Sequence, residues 1–383
     1  MRICFITEYF PTGNKCDIRG GAEVVAFYEA KYLAKNHHIE VITSLERGSK
    51  RYDQFENIKV FRCGKTRDYA HKNAFTDRLR FMRGAYLFTV KRQYDLIVGF
   101  SIITYPVAWK VSKKLNVPCI IRYHDVLIGK WVRNFGLTGL AGELLERYTL
   151  SRKFAAIIAV SNYTAGNLGK YFPYKDIIHV VHNGVEVSGI SFAKAQFPAV
   201  VCVSRLVKYK HVDDLVQAIA ILLKDFPDLQ CKIIGTGPEE GKLKRLALRL
   251  GINEHITFYG FIPDHSDLLK MIASSHVFCL PSSLEGFGIV IIESMACGVP
   301  FVAADIPPIL ESSDRKGGLF FRSGDIEDLA EKIRTIMKDS RLQNQLREEG
   351  LKRAGDLQWI EISKKVEAIY KKTVLLNHMK KDD

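Results

Sequence analysis

The sequence lacks several features that most sharply narrow a function. Its eight cysteines include no CxxC pair and no Cys/His cluster at zinc spacing, and several sit inside strand-like runs such as RICFIT, CKIIG and VFCLP. They read as reduced, buried small hydrophobes. No segment approaches the apolar length of a membrane-spanning helix. The N-terminal MRICFITEYFPTG reaches a proline and a glycine before any run long enough for a signal peptide's core, so a cytoplasmic location is expected. The loop GTGPEEG follows a strand but misses the GxGxxG spacing, and no dinucleotide cofactor is assigned to it. No DxD-type pair stands at a strand end to hold a metal. No interleaving of aromatic and basic residues marks a nucleic-acid surface.

What is present is a long chain with a regular rhythm. At 383 residues and 47% hydrophobic content, two domains with proper cores are the default. Short β-branched and aromatic runs (RICFIT, HIEVITS, IKVFRC, LIVGFS, PCIIRYH, AAIIAVS, IIHVVHNGV) alternate with stretches of helical period. The rhythm breaks over EVSGISFAKAQFPA and restarts with AVVCVSRL, LQCKIIGTG, HITFYGF, VFCLPS and PFVAAD. Two doubly wound, Rossmann-like α/β domains facing a cleft follow, residues 1–187 and 198–359, with a boundary near 187–198. The helical stretch from Trp359 onward lies beyond the second series of strands and is expected to return to the first domain. Charge divides the same way. Residues 1–190 carry 29 Lys and Arg against 16 Asp and Glu, a balance of +13, while the remainder balances at +1. A basic half suits an anionic partner such as a membrane surface or a phosphorylated acceptor.

In open parallel sheets ligands bind at the carboxyl ends of strands, which directs attention to PSSLEGFGIVIIESMACGVP, residues 281–300. Pro281 stops a strand, a turn runs through Gly286, Phe287 and Gly288, and a helix opening at Ile289 ends before Gly298 and Pro300. A helix N-terminus with glycines favours close approach of a diphosphate. Glu285 beside it would be repelled unless bonded elsewhere, which matches it to sugar hydroxyls. Glu293, a turn into the helix and leaning toward its N-terminus, suits a ribose diol. A diphosphate also needs positive charge, and SRLVKYK supplies Arg205 and Lys210 at a strand end; Lys208 competes for the second role, and spacing favours Lys210. Gly21, in the Gly20-Gly21 pair, either starts a helix or brings its backbone close to phosphate or sugar. His124 at the end of PCIIRY is ambiguous alone and a hydrogen-bonding group if a sugar faces it.

These stretches together resemble the retaining group-1 glycosyltransferases of the GT-B fold. The two glutamates separated by seven residues carry most of the likeness. GGAEVV, AVSNYT, HNGVE, VSRLVKYK, IIGTGP and FYGFI also fall in that family's order. The resemblance implies metal-independent, retaining transfer of a sugar from a nucleoside-diphosphate donor, with no bound cofactor. Arg205 and Lys210 would bind the diphosphate and Glu293 the ribose. Glu285 and the amides of Gly286, Phe287, Gly288 and Ile289 would hold the donor sugar and phosphates, and Gly260, Phe261 and Ile262 would line the base. His124 would stand beside the donor sugar. Three positions depart from the pattern: Ser204 before the arginine and His211 after the lysine replace glycines, and Glu186 replaces an aspartate. An epimerase, hydrolase or phosphorylase on the same architecture is the alternative, and a nucleic-acid-binding role is the remote one.

The acceptor is expected to be a glycan or a lipid-linked group, with an anionic membrane surface as a further partner. Residues 65–92 carry eight Lys and Arg and two Asp. On a helical wheel Phe75, Leu79, Met82, Tyr86 and Val90 form one stripe, assigned to the core. Phe81 and Phe88 lie on another side among arginines and are expected to face a bilayer.

Overall fold

The structure, a computed structural model, describes residues 1–12, 20–69, 75–186 and 194–382. The chain forms two compact units, Met1–His182 with Trp359–Asp383, and Asn183–Gln358. Of the stretch expected to link them, residues 187–193 lie outside the described ones.

In the first unit, buried apolar runs make the strands β1 (Arg2–Ile6), β2 (His38–Glu46), β3 (Tyr52–Phe55), β4 (Ile58–Arg67), β5 (Leu96–Gly99), β6 (Cys119–Tyr123), β7 (Ala156–Ala159) and β8 (Ile178–Val180). They form one sheet in the order β3-β4-β2-β1-β5-β6-β7-β8, parallel throughout except for β3 on β4. Strands covered on both faces read as continuous hydrophobic runs, which is why the parallel strands of this sheet were visible in the sequence and the short, half-exposed antiparallel edge strand β3 was not. The order reverses between β1 and β5, so the loops after these strands open into the crevice of the sheet. The helices α1 (Gly21–Leu33), α2 (Phe75–Thr89), α3 (Tyr105–Leu115), α4 (Trp131–Phe135), α5 (Gly139–Leu150) and α6 (Asn162–Tyr171) connect the strands.

Helix α2 corrects the expectation drawn from its wheel. Phe81 is 1% exposed and sits in the core with Ala85, whereas Phe75 and Leu79 are 62% and 48% exposed. Met82, Tyr86 and Val90 do pack against the core, but Phe88 packs at a tilt against Phe61, ring centroids 4.9 Å apart, beneath the Arg92 guanidinium instead of facing outward. Backbone proximity explains the rotation. A Cβ on Gly84 would lie 3.1 Å from the Gly64 nitrogen, and one on Gly64, at φ +88°, would lie 3.0 Å from the Phe81 Cα. Two glycines thus let α2 rest directly on β4, and that contact selects the buried face over the wider apolar stripe. The neighbouring arginines turn inward as well: Arg67 and Arg78 both reach Glu8 Oε1 at 2.9 Å.

The second unit holds β9 (Ala199–Val203), β10 (Gln230–Ile234), β11 (Ile256–Gly260), β12 (Val277–Leu280), β13 (Phe301–Ala304) and β14 (Gly318–Phe321), an all-parallel sheet ordered β11-β10-β9-β12-β13-β14. Around it run α7 (Val212–Leu222), α8 (Glu240–Arg249), α9 (His265–Ala273), α10 (Ile289–Ala296), α11 (Pro307–Ser313), α12 (Ile326–Lys338) and α13 (Ser340–Asp356). The order reverses between β9 and β12, and Arg205, Lys210, Glu285 and Glu293 each follow one of those two strands.

The last helix, α14 (Trp359–Asp382), belongs to the first unit and packs on α1. Trp359 stacks on Tyr28 at 5.2 Å, and Tyr370 donates to Glu29 Oε2 at 3.2 Å. Glu29 also pairs with Arg122 at 3.0 Å, both side chains fully buried, while Arg122 donates to the carbonyls of Val181 and His182. No helix among the described residues is long and apolar enough to cross a membrane. Seven cysteines are described, all buried and free.

Candidate functional site

At the carboxyl end of β9 the chain passes through Ser204 and the exposed Arg205 into a 3-10 turn over Lys208–Lys210. The loop Gly235–Gly237 lies on top of it: a Cβ at Gly235 would come within 2.0 Å of the Ser204 oxygen, and one at Gly237 within 2.2 Å of the Leu206 oxygen. The two glycines of GTG therefore serve backbone packing, which fixes the path of Ser204–Leu206 and accounts for the loop without a ligand.

Arg205 Nη2 donates to the Tyr209 hydroxyl at 2.7 Å. Lys210 Nζ meets Glu285 Oε1 at 2.5 Å, both side chains mostly buried, while Lys208 is exposed. Ser283 N donates to the Tyr209 carbonyl at 3.0 Å, tying the loop after β12 to the turn after β9. Of the two candidate lysines, Lys210 is thus the one gathered with Glu285, and it compensates the charge of Glu285.

Beyond Glu285 the chain enters α10 through Gly288, which adopts φ +80° and whose Cβ would strike Ile309 Cδ1 at 2.4 Å. Its N-cap, Gly288, offers no side chain to cap this helix start, which follows the carboxyl end of β12. Phe287 is buried, so its contribution there can only be its backbone. Ile289 is the first helical residue and half-buried. Glu293 is 4% exposed, and its Oε1 lies 2.9 Å from His265 Nε2 on α9. Burial pulls the His265 pKa down, but the Glu293 carboxylate and its hydrogen bond, helped by Glu186 and Asp264, more than offset this and leave it raised. At the end of β11, Gly260 takes φ +69°, and Phe261 and Ile262 follow at the surface, partly exposed.

In the first unit Gly21 is exposed at the opening of α1, following a Gly20 that offers no side-chain cap. His124 stands just past β6. Burial and then the Arg122 guanidinium push its pKa down to about 3, against a hydrogen bond with the Phe100 backbone, so the ring is neutral near pH 7. Its Nε2 is buried and makes no hydrogen bond among the described residues.

The structure therefore brings Arg205, Lys210, Glu285, Gly286, Gly288 and Glu293 to the strand ends of one sheet, and Gly21 and His124 to those of the other. Sequence reasoning missed His265, Tyr209 and Ser283. Nothing in spacing flags His265, which is 28 residues from Glu293; only the pairing of β11 and β12 through β10 and β9 sets α9 beside α10. Among the described residues one group could offer ligands to a metal, His211, Asp213 and Asp214 at the start of α7. Two acids in the first turn of a helix are already favoured by its dipole.

Residues 188–353 match the family described as glycosyl transferases group 1, and residues 19–188 match glycosyltransferase family 4. An uncharacterized glycosyltransferase of Haemophilus influenzae is 26% identical over 334 residues, covering 85% of this chain and 89% of that protein. The GDP-mannose-dependent alpha-(1-6)-phosphatidylinositol monomannoside mannosyltransferase of Mycolicibacterium smegmatis is 36% identical over 152 residues, 38% of this chain and 40% of the relative. The crystal structure of the Anabaena HepE protein in complex with UDP-glucose superposes with a TM-score of 0.78 at 20% identity, covering 97% of this chain and all of that one. With two α/β parallel-sheet units of the GT-B fold and both halves matched in order, this chain belongs to the group-1 glycosyltransferases.

Proposed function

We propose that the protein transfers a sugar from a nucleoside-diphosphate sugar to a lipid-linked or saccharide acceptor, with retention at the anomeric carbon and without a metal or bound cofactor. The observation that carries this reading is the grouping of Arg205, the Lys210–Glu285 pair, the α10 start and Glu293 at the switch point between β9 and β12. The complex of the Anabaena structure with UDP-glucose supports the donor class.

In this reading the bond between the anomeric carbon and the diphosphate oxygen breaks, and its electron pair goes to the diphosphate. Arg205, Lys210 and the amides at Gly286–Ile289 stabilise that charge, a role in which a single fixed donor contributes about 3–4 kcal/mol. The acceptor oxygen attacks from the face the leaving group departs, and its proton passes to a leaving phosphate oxygen, so no protein nucleophile is assigned. Glu293 binds the ribose diol, Glu285 a sugar hydroxyl, and Gly260, Phe261 and Ile262 the base. His124, held neutral, hydrogen-bonds the sugar through Nε2, and Gly21 offers its amide to phosphate. The basic first unit takes the acceptor, an anionic or lipid-linked group at a membrane face.

The test is release of nucleoside diphosphate from a panel of UDP- and GDP-sugars, with the product anomer read by NMR. Turnover that survives chelation by EDTA and retains configuration is the expected result. A requirement for added Mg²⁺ or Mn²⁺ would overturn the metal-free account. Release of free sugar or an epimerised donor with no dependence on acceptor would favour a hydrolase or epimerase.

A further inference from the structure

Directly after His124 and Asp125, the chain leaves β6 for a helical hairpin, α4, a turn over Gly136–Thr138, and α5. Its interior is tightly built. A Cβ on Gly139 would come within 2.4 Å of the Trp131 carbonyl oxygen, and one on Gly142 within 2.5 Å of the Trp131 ring. The buried carboxylate of Glu146 accepts from the Trp131 indole and the Tyr123 hydroxyl, each at 2.6 Å, and from Leu127 N at 3.2 Å. With α4 pressed onto α5 and anchored to β6, the remaining apolar side chains have no route inward. Leu137 is 82% exposed, Leu144 68% and Leu140 52%, and Val132 and Phe135 are exposed beside them.

The charges around this ridge are of one sign. Residues 126–142 contain Lys130 and Arg133 and no acid. Of the acids that follow, Glu143 is engaged by Arg147 and by Gly129 N, and Glu146 is internal. Helix α3, which packs against α5, adds exposed Lys110, Lys113 and Lys114. A convex apolar tip rimmed by cations suits a soft, anionic apolar medium. An isologous contact with a second copy would set these cations against their own counterparts.

We propose that the α4–α5 hairpin is a membrane wedge, inserting Leu137, Leu140 and Leu144 into the interface of an anionic bilayer while Lys130 and Arg133 sit at the lipid phosphates. This deepens the lipid-linked acceptor reading and rests on it for its purpose, although the binding itself does not depend on turnover.

The experiment is co-sedimentation with phosphatidylcholine vesicles prepared with and without phosphatidylglycerol, for the wild type, Leu137→Glu/Leu144→Glu and Lys130→Glu/Arg133→Glu. Leu137, Leu144 and Arg133 are exposed, Lys130 is half-buried against Tyr163, and none of the four belongs to the donor site. The leucine variant should lose about tenfold or more in partitioning to anionic vesicles, given the burial energy of two leucines. The charge variant should lose the preference for phosphatidylglycerol. An environment-sensitive dye on Leu137→Cys should brighten on addition of anionic vesicles. Equal partitioning of the leucine variant and the wild type, or a dye that does not respond while the protein sediments, overturns the proposal. So does a vesicle-free shift from dimer to monomer in the leucine variant, which would make the ridge an interface between copies. Nucleotide-sugar turnover in solution is read in parallel. Its absence in a vesicle-binding wild type counts against the proposed transfer and leaves the wedge standing.

Discussion

The two units use the same architecture in opposite ways. In the second, the strand ends carry charge, and each charged side chain has a partner: Lys210 with Glu285, Glu293 with His265, and Arg205 held by Tyr209. In the first, the two residues assigned to the donor at strand ends are a neutral His124 and a bare Gly21; its buried charges are tied up in internal pairs such as Glu29 with Arg122 and Glu8 with Arg67, and its remaining cations lie on helix surfaces. A site that must stabilise a departing diphosphate needs fixed, mutually supported charges, and fixing them takes partners at hydrogen-bond distance. A unit that meets an acceptor at a surface needs exposed cations and apolar ridges that nothing in the fold consumes. The contrast teaches that the two halves should fail differently when altered.

The largest effect is expected on the stability of the first unit. Phe81→Ala removes a fully buried ring beneath the Arg67 guanidinium and should cost about 3–5 kcal/mol, read as a lowered Tm or denaturation midpoint. Leu79→Ala, two residues away on the exposed side of the same helix, should stay within about 0.5 kcal/mol of wild type. Equal costs for the two would restore the wheel-based face and remove the account built on Gly64 and Gly84.

The next effect belongs to the second unit and to activity. Arg205→Ala should lower kcat/KM by about 10²–10³ with little change in Tm, because Arg205 is exposed and its loss leaves nothing buried unpaired. Lys210→Ala should lower activity as far and also destabilise the fold, since Glu285 would keep its charge in a mostly buried place without its cation. Activity within threefold of wild type in a folded Arg205→Ala would break the assignment. An unchanged Tm in Lys210→Ala would show that the pair is not a structural one.

These two experiments probe what could and could not be read from the sequence. Most of the strands and the strand-end motifs were legible because parallel strands covered on both faces are unbroken apolar runs, so the polar residue that follows each run is the residue at the crevice; the sheet order was not, and the edge strands β3 and β14 were missed. The face of α2 was not legible. Its apolar residues are spread around the wheel, and two glycines 20 residues apart decided which side sank. The partner of Glu293 was hidden for a related reason, since His265 is brought to it by the packing of α9 on α10, a contact with no local sequence signal.

His265 offers a sharper comparison within the donor unit. Its pKa is raised by Glu293, so the charged pair contributes fully below the ordinary histidine pKa of about 6.5 and is lost as pH rises through the raised folded value. His265→Gln should therefore cost about 1–3 kcal/mol at pH 6 or below, the usual penalty for an ill-satisfied buried charge, with the difference from wild type narrowing as pH is raised beyond 6.5. Thermal melts of both proteins across that window decide the matter. A gap that widens with pH would mean the histidine is neutral in the fold and Glu293 is held by something else.

The smallest effect concerns His211, the residue that stands where the family's glycine usually follows the lysine. It adopts φ +49° and ψ +38°, the left-handed conformation that glycine occupies freely and other residues reach at a cost of about 1–2 kcal/mol. The backbone requirement has been kept while the residue changed, which is why Lys210 keeps its place before the bend and still meets Glu285. Part of the cost is offset by Asp214, whose Oδ2 lies 3.5 Å from His211 Nδ1 and whose hydrogen bond raises the imidazole pKa. That offset is complete below the ordinary histidine pKa and fades as pH rises through the raised one. His211→Gly should accordingly be more stable than wild type by about 1 kcal/mol at pH 8, where strain relief acts alone, and should lose that advantage as pH falls below about 6.5. Melts at both ends of the range test the sign as well as the size. A glycine variant less stable than wild type at pH 8 would mean that His211 contributes through its neutral ring, and that the left-handed turn is not what connects this residue to the family's glycine.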